Sequence, residues 1–231
     1  MPATLHRLQT APDLVDQAYE ALRDAICSGA LAPGQRLTQE DLAARLAVSR
    51  QPVLQALRLL KQQGLVLDAP GRGLQVAPLD AAAIVQLYQV RGALDALAAR
   101  LAAGRRATLP AATLRQGRQR VRGRDVAAMI EADLDFHRAL YAASGNPLIE
   151  RSAAAQWQHL RRAMGAVLQH ATVRGSVWDE HEAIARAIAA GDADAAAQAA
   201  EAHTERAGQF MALHLDANAN KTPPTRRGDT A

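Results

Sequence analysis

Four side chains in the second half of the chain have the types and spacing expected of a metal site. Asp133 and His137 lie four residues apart, so on a helix both project from one face toward the same point. His181 and His203 lie on two later predicted helices, and a helical bundle can bring such groups round one ion. One carboxylate with three imidazoles suits a divalent cation, zinc first, with nickel, manganese or cobalt as alternatives. Spacing alone leaves open a second interpretation, in which these histidines are packed and hydrogen-bonded without a metal.

A second group of side chains, between residues 49 and 73, has the chemistry of DNA contact. Arg50, Gln51 and Gln55 lie in the first part of a predicted helix, where Arg can bond guanine bidentately and Gln can bond adenine. Gly73, beside Arg72, lets a turn backbone approach a phosphate or the minor groove closely. The alternative is a solvated helix face and an ordinary hairpin. The predicted contacts are Ser49, Arg50, Gln51, Gln55, Arg58, Arg72 and Gly73.

The elements that position these DNA-contact residues follow from local signals. Gly29 ends an amphipathic run, Thr38 and Ser49 are placed to cap two further helices, and Pro52 fits the first turn of the third. Two short apolar runs flank the turn sequence at 70–73. Residues 11–78 are therefore predicted to form a winged helix-turn-helix domain. Its predicted elements are helices 14–28, 38–47 and 49–63 and strands 65–67 and 74–76.

The residues after Pro78 are Ala-rich and almost free of β-branched runs, which predicts an all-α domain at 79–215. Asp125 is placed as an N-cap, while Gly104, Gly145 and Gly191 are expected to end helices. Short connections imply a six-helix bundle, and bundle cores commonly house ligand and metal sites. The fold class is mainly α. The predicted helices are 80–103, 110–122, 125–143, 147–170, 176–190 and 193–214.

Composition limits the classes of protein that remain. The chain has 231 residues, a formal net charge of +4 and one cysteine, Cys27, expected as a small buried side chain in helix one. No apolar run approaches the roughly 18 residues of a membrane span, so we expect a cytoplasmic protein. The ends, 1–10 and 216–231, are predicted to be disordered. The Arg-rich segment 105–124 is expected to be a solvated face, with DNA or an acidic partner as the alternative.

The N-terminal third resembles the DNA-binding domain of GntR-family transcription regulators. The resemblance is carried by GALAPG (29–34), VSRQPV (48–53), GLV (64–66) and the Arg72-Gly73 pair. Where that family usually has Arg and Glu, one turn into the recognition helix, this chain has Leu54 and Gln55. The DNA site can therefore differ from the common operator of the family.

Residues 80–215 resemble the FCD effector domain of the FadR-type subgroup. The matching segments are DLDFHRA (133–139), ASGNPL (143–148), EHEAI (180–184) and AAGD (189–192), followed by His203. In that family the matching Asp and three His hold a divalent metal, and an organic acid completes its coordination. The resemblance thus implies that Asp133, His137, His181 and His203 are metal ligands.

The same resemblance implies two effector contacts, Arg91 and Asn146. Arg91 lies in YQVRGALD (88–95), and a guanidinium can bind a carboxylate through two parallel hydrogen bonds. The alternative for Arg91 is a surface salt bridge with Asp95, four residues on, where the family often has Glu. The alternative for Asn146 is a turn or cap residue.

An enzyme is not predicted from these residues. His181-Glu182 begins like a zinc-protease motif, but residue 185 is Ala, so the second histidine is missing. The predicted function is a transcription regulator, a repressor, that binds a palindromic double-stranded operator as a homodimer and senses a small carboxylate at the metal. Two alternatives remain: a metal-free regulator that senses a larger hydrophobic acid, and a metalloenzyme with an accessory DNA-binding head.

Overall fold

The computed structural model describes residues 14–169 and 176–219. The chain divides into two compact units after Pro78. Most of the two ends predicted as disordered lies outside the described residues, although 216–219 continue the last helix. Among the helices described, none is both long and apolar enough to cross a membrane.

Over residues 14–78, the first unit contains three helices and a small antiparallel sheet, as predicted for a winged helix-turn-helix. The strands lie in the order β1-β3-β2, with Val66 opposite Val76 and Asp68 opposite Leu74. The three helices surround a core that includes Leu22, Leu57 and Leu65. The elements are α1 (Leu14–Cys27), β1 (Arg36–Leu37), α2 (Gln39–Leu46), α3 (Arg50–Gln62), β2 (Val66–Asp68) and β3 (Leu74–Val76).

The strand β1 was not predicted from the sequence, because two residues are too few to show alternation. It pairs with β3 through Arg36 opposite Gln75 and Leu37 opposite Leu74. The Arg36 guanidinium donates to the backbone carbonyls of Pro70 (2.7 Å) and Arg72 (3.4 Å). Arg36 therefore fastens the turn between β2 and β3, which is the tip of the wing.

Local hydrogen bonds set both ends of α2. Thr38 Oγ1 accepts from Asp41 N at 3.3 Å, which confirms the predicted N-cap. At the other end Ala47 is left-handed (φ 53°), and two backbone bonds, Ala47 N to Ala44 O and Val48 N to Ala43 O, close the helix. Ser49 stands at the N-cap position of α3, but its side chain makes no capping bond.

The second unit is built, within the described residues, from the six predicted helices. Their ends differ from the prediction by only a few residues. The first and last of them pack along each other, and the core between the helices contains Phe136, Leu140 and Leu160. The mainly α fold class is thus confirmed. The helices are α4 (Ala81–Gly104), α5 (Ala111–Arg120), α6 (Val126–Ser144), α7 (Pro147–Leu168), α8 (Val177–Ala190) and α9 (Ala193–Ala219).

Two predicted helix ends in this unit were wrong. Gly104 does not stop α4; it is the last helical residue, and Arg106 takes the left-handed conformation instead (φ 49°). Hydrogen bonds from Arg106 N to Ala103 O and from Ala107 N to Ala102 O form a Schellman motif at this helix end. The helix α9 continues to Ala219, past the predicted end at 214.

Ala47 gives a test of the helix-turn-helix turn. An L-residue in the left-handed region costs about 1–2 kcal/mol, and Gly loses about 0.5–1 kcal/mol more backbone entropy on folding. We therefore expect Ala47→Gly to raise the free energy of unfolding by ~0.5–1 kcal/mol. The control is Ala44→Gly, three residues earlier inside α2, which should lower it by about 1 kcal/mol. Urea unfolding measures both, and equal destabilisation by the two variants would contradict the turn geometry.

Candidate functional site

The four predicted metal ligands converge in the core of the second unit. Asp133 and His137 come from α6, His181 from α8 and His203 from α9. Their donor atoms all lie within 4.8 Å of one another, and all four residues are buried. His181 Nε2 is 3.2 Å from His203 Nε2 and 3.6 Å from Asp133 Oδ1. His137 Nε2 lies 3.9 Å from Asp133 Oδ2, so the Nε2 atoms of His137 and His181 face the same carboxylate.

Two further carboxylates lie behind this cluster and favour one tautomer in two of the rings. Asp95 Oδ2 is 3.2 Å from His137 Nδ1, and Glu180 Oε2 is 2.8 Å from His203 Nδ1. A carboxylate beside Nδ1 favours the proton on that atom, which leaves the Nε2 lone pair directed at the centre. Residue spacing did not reveal these contacts, because each carboxylate lies on a different helix from the histidine it faces.

The electrostatics and packing of the rings also suit a metal ligand set. Burial lowers the pKa of His203, although the hydrogen bond with Glu180 opposes the shift, so the ring is neutral near pH 7. Neutral imidazole is the form that binds a metal. Phe136 stacks on His181 with ring centroids 3.9 Å apart, and Trp178 meets the same ring edge-on at 4.6 Å. These contacts hold His181 in one orientation.

Arg91 is buried beside the cluster, with only 2% of its surface exposed. Its Nε lies 3.3 Å from Asp95 Oδ2, and its Nη2 lies 3.7 Å from Asp133 Oδ2 and contacts His137 Nε2. The guanidinium also lies over the Trp157 ring at 4.5 Å. Arg91 therefore does pair with Asp95, as the alternative interpretation predicted. The prediction of a surface salt bridge was wrong, because the pair lies in the core.

Asp95 is ionised despite its burial. Burial alone would raise the pKa of this carboxyl, but attraction to His137 and Arg91 outweighs it and lowers the pKa to about 2. The Tyr141 hydroxyl donates to Asp95 Oδ1 at 2.6 Å, and burial raises the pKa of this phenol, so it remains a donor. Asp95 thus binds three groups from two helices.

A small cavity opens beside the cluster, and the centre of a water-sized sphere can occupy about 50 Å³ of it. Arg91, Asp133 and His203 line its polar end, and most of the other lining residues are hydrophobic. Asn146, the second predicted effector contact, is not among the lining residues. It caps α7 instead, since its Oδ1 accepts from Leu148 N at 3.1 Å, which matches the cap interpretation.

The predicted DNA-contact residues lie at two places in the first unit. Ser49, Arg50, Gln51 and Arg58 are exposed on α3, and Gln55 is half-buried. Arg72 and Gly73 are exposed at the wing tip, where Gly73 has a φ of 96° that favours glycine. Two of the basic side chains in this region already have partners: Arg50 Nη1 lies 2.9 Å from Glu40 Oε1, and Lys61 Nζ lies 2.6 Å from Asp68 Oδ1.

The Arg-rich segment is not only a solvated face. Arg118 on α5 donates to Asp179 at 2.6 Å and to Glu182 at 2.5 Å, both on α8. Its neighbour Gly117 packs directly against the Trp178 ring, at a distance that leaves no room for a Cβ. The segment therefore holds the N-terminal part of α8, which carries His181, against α5.

A winged helix-turn-helix followed by a helical unit with a buried ligand cluster and a cavity defines a two-domain DNA-binding regulator. Comparison with known proteins agrees. Residues 14–76 match the model of bacterial regulatory proteins of the gntR family, and residues 86–206 match the FCD domain model. The chain belongs to the GntR family of transcription regulators and carries an FCD domain.

Individual relatives and a solved structure are consistent with this family. The chain is 35% identical over 191 residues to an HTH-type transcriptional regulator in an unstable DNA locus of Streptomyces ambofaciens, covering 80% of this chain and 79% of the relative. It is 28% identical over 209 residues to a Paenarthrobacter nicotinovorans protein named "Probable D-xylose utilization operon transcriptional repressor", covering 88% and 90%. The crystal structure of a GntR transcriptional regulator from Rhodococcus sp. RHA1 superposes with a TM-score of 0.71 at 28% identity, covering 85% of this chain and 96% of that one. All three are named as transcriptional regulators or repressors.

Asp95 gives a test of the buried charge network. Replacing it by Asn removes the carboxylate nearest to the Arg91 guanidinium, and breaking a buried pair typically costs about 3–5 kcal/mol. We expect Asp95→Asn to lower the free energy of unfolding by about 3 kcal/mol in protein freed of metal with a chelator. Asp135→Asn, on the exposed face of α6, is the control and should change it by less than about 0.5 kcal/mol. Matching losses in urea unfolding would show that the Asp95 network contributes nothing specific.

Proposed function

We propose that this protein is a homodimeric repressor whose affinity for a palindromic DNA operator changes when a small carboxylate binds at a divalent metal in the FCD domain. The observation that carries the proposal is the cluster of Asp133, His137, His181 and His203, buried in a unit that follows a winged helix-turn-helix. The DNA-binding role also supports a place in the cytoplasm, where a bacterial chromosome lies.

The donor set supports the metal. Three imidazole nitrogens and one carboxylate oxygen are ligands that zinc, nickel, manganese and cobalt all accept, and zinc commonly takes four such donors. The carboxylates behind His137 and His203 are the partners that metal-binding histidines usually have. A bound divalent cation would supply a Lewis-acidic centre to which the oxygens of an organic acid can add.

The charge balance of the core supports an acid as the effector. Among the charged groups shown in contact with the cluster, Asp95 lies nearest to Arg91 and Arg206 pairs with Glu180 at 3.0 Å, so the second carboxylate beside Arg91, Asp133, gives this group one net negative charge. A divalent cation would outweigh this net negative charge and leave one net positive charge around the cluster. Buried charge is costly unless it is paired, so a monoanion such as a carboxylate is the complementary ligand. Arg91, which lines the cavity, could then bond the same carboxylate.

The first unit supports operator recognition. Arg50 and Gln51 are exposed at the start of α3, the part of a recognition helix that reads base edges in the major groove. A two-fold dimer would place two such helices on half-sites about one turn of DNA apart. The repressor role is supported by the name of the Paenarthrobacter nicotinovorans relative. Coupling of ~1–3 kcal/mol between effector and operator would change the operator affinity about 5- to 150-fold.

The metal-free regulator that senses a larger hydrophobic acid is a second candidate, because the cavity is mostly hydrophobic. The two candidates differ in one measurable property. A stoichiometric metal in the protein purified without chelators favours the metal-dependent sensor, and its absence favours the alternative.

The ligand assignment predicts which histidines matter. We expect His137→Ala and His203→Ala each to reduce bound zinc at least tenfold after dialysis and to abolish the effect of the acid on operator binding. The operator affinity of the metal-free protein should change little, because neither residue lies in the first unit. His214→Ala is the matched control: His214 also lies on α9 but bonds the carbonyl of Phe210, so elemental analysis should find its zinc unchanged. Full zinc content in all three variants would refute the assignment.

The base-reading role predicts a difference between two arginines. Using an operator selected from random oligonucleotides, Arg50→Ala should weaken specific binding about 5- to 150-fold and relax the preference at one base position. Arg72→Ala should instead weaken binding to selected and random DNA alike. It should also reduce the slope of log affinity against log salt concentration by about one, because one phosphate contact is lost. Anisotropy titrations at several salt concentrations distinguish the two. An equal loss on random DNA for Arg50→Ala would contradict base readout.

A further inference from the structure

We propose that the effector is a monocarboxylic acid with an apolar body, such as a medium-length alkanoate or an arylalkanoate, and not a polycarboxylic or polyhydroxy acid. This inference rests on the proposed function and concerns the cavity of the FCD domain. Its support comes from the separation of polar and apolar groups along the cavity wall, and from the residue types of the apolar part.

Three polar residues of the cavity wall lie close to one another. Arg91, Asp133 and His203 lie at the ligand cluster, and among the described lining residues only the Tyr88 hydroxyl adds another strongly polar group. Nine of the thirteen described lining residues are hydrophobic, including Leu168, and none of these thirteen is Ser, Thr, Asn, Gln or Lys. Away from the cluster, hydroxyls or a second carboxylate on the effector would therefore lose water without gaining partners among the described wall residues, which costs more than it returns.

The charge argument points the same way. Under the proposed function the charged groups around the cluster leave room for one negative charge, which a single carboxylate supplies. A dicarboxylate or tricarboxylate would bring one or two further charges into the hydrophobic part of the cavity. Arg91, the only described basic side chain in the wall besides His203, already faces Asp95 and Asp133. An extra charge would thus be buried without a partner among the described wall residues.

The residues of the apolar wall indicate what kind of body it accepts. Met129, Met164 and Met211 all line the cavity, and they are the chain's only methionines apart from Met1. Trp178 and Phe210 complete much of the wall. Methionine side chains are flexible and polarisable, and they pack well against aromatic rings. The wall is therefore suited to both linear and aromatic bodies, with hydrophobic burial as the main source of affinity.

The test measures a homologous series of acids on the zinc-loaded full-length protein by isothermal titration calorimetry. From acetate to butyrate to hexanoate, affinity should rise about fourfold for each methylene buried. Phenylacetate should bind more tightly than acetate, while lactate and citrate should bind no more tightly than acetate. Affinity that is flat with chain length, or citrate bound more tightly than hexanoate, would overturn the inference and leave the acid-sensing proposal standing. If none of the acids binds, the proposed function itself fails, and this inference fails with it.

Two variants locate the effect in this cavity. Ala207→Leu, which adds bulk to the wall, should weaken hexanoate at least tenfold while acetate is little changed. Ala212→Leu, further along α9 and outside the cavity lining, is the matched control and should bind both acids normally. Met129→Gln should lower the preference for hexanoate over lactate, and this second change needs no added bulk. Retained zinc stoichiometry shows that each variant is folded, and normal hexanoate binding by both Ala207→Leu and Met129→Gln would overturn the assignment.

Discussion

Burial of the Arg91 guanidinium is the constraint on which the rest of the FCD domain depends. A cation in a helical core is tolerated only when anions surround it, and here Asp95 and Asp133 do so from α4 and α6. Asp95 also faces His137 Nδ1, so the carboxylate that balances the arginine also sets the tautomer of a histidine in the cluster. Asp95 thus both balances the charge of Arg91 and orients His137. This double role explains how a polar cluster is stable among packed hydrophobic side chains.

The other two histidines of the cluster, His181 and His203, are positioned by contacts of α8 and α9. Glu180 connects His203 to Arg206, both on α9. The helix α8 is in turn held by α5, through Arg118 and through the close fit of Trp178 on Gly117. Because Trp178 also lines the cavity, a ligand that displaces its ring would act directly on α5. Trp178 therefore contributes both to the cavity wall and to the packing of the Arg-rich helix α5.

The sequence predicted the features that depend on local chemistry. Caps such as Thr38 and Asp125 act within one turn, so helices could be located from short segments. The predicted role of Gly104 at the end of α4 was wrong. Gly104 looked like a helix stop signal, but Arg106 is the residue that adopts the left-handed conformation there. The four clustered side chains could be named from spacing and family resemblance. The positions of Asp95 and Glu180 beside His137 and His203 could not be predicted, because each carboxylate lies on a different helix from its histidine and only tertiary packing brings them together.

Under the proposed function, the contact between Arg91 and His137 links the two ligands of the domain. His137 Nε2 has a single lone pair, and in this structure Arg91 Nη2 contacts it. That lone pair cannot serve an N–H donor and a cation together, so Arg91 has to release His137 when the ligand set is filled. The released donors then need a new acceptor inside a buried cavity, and a carboxylate supplies it. Acid should therefore bind more tightly to the metal-loaded protein, and by linkage metal should bind more tightly when the acid is present.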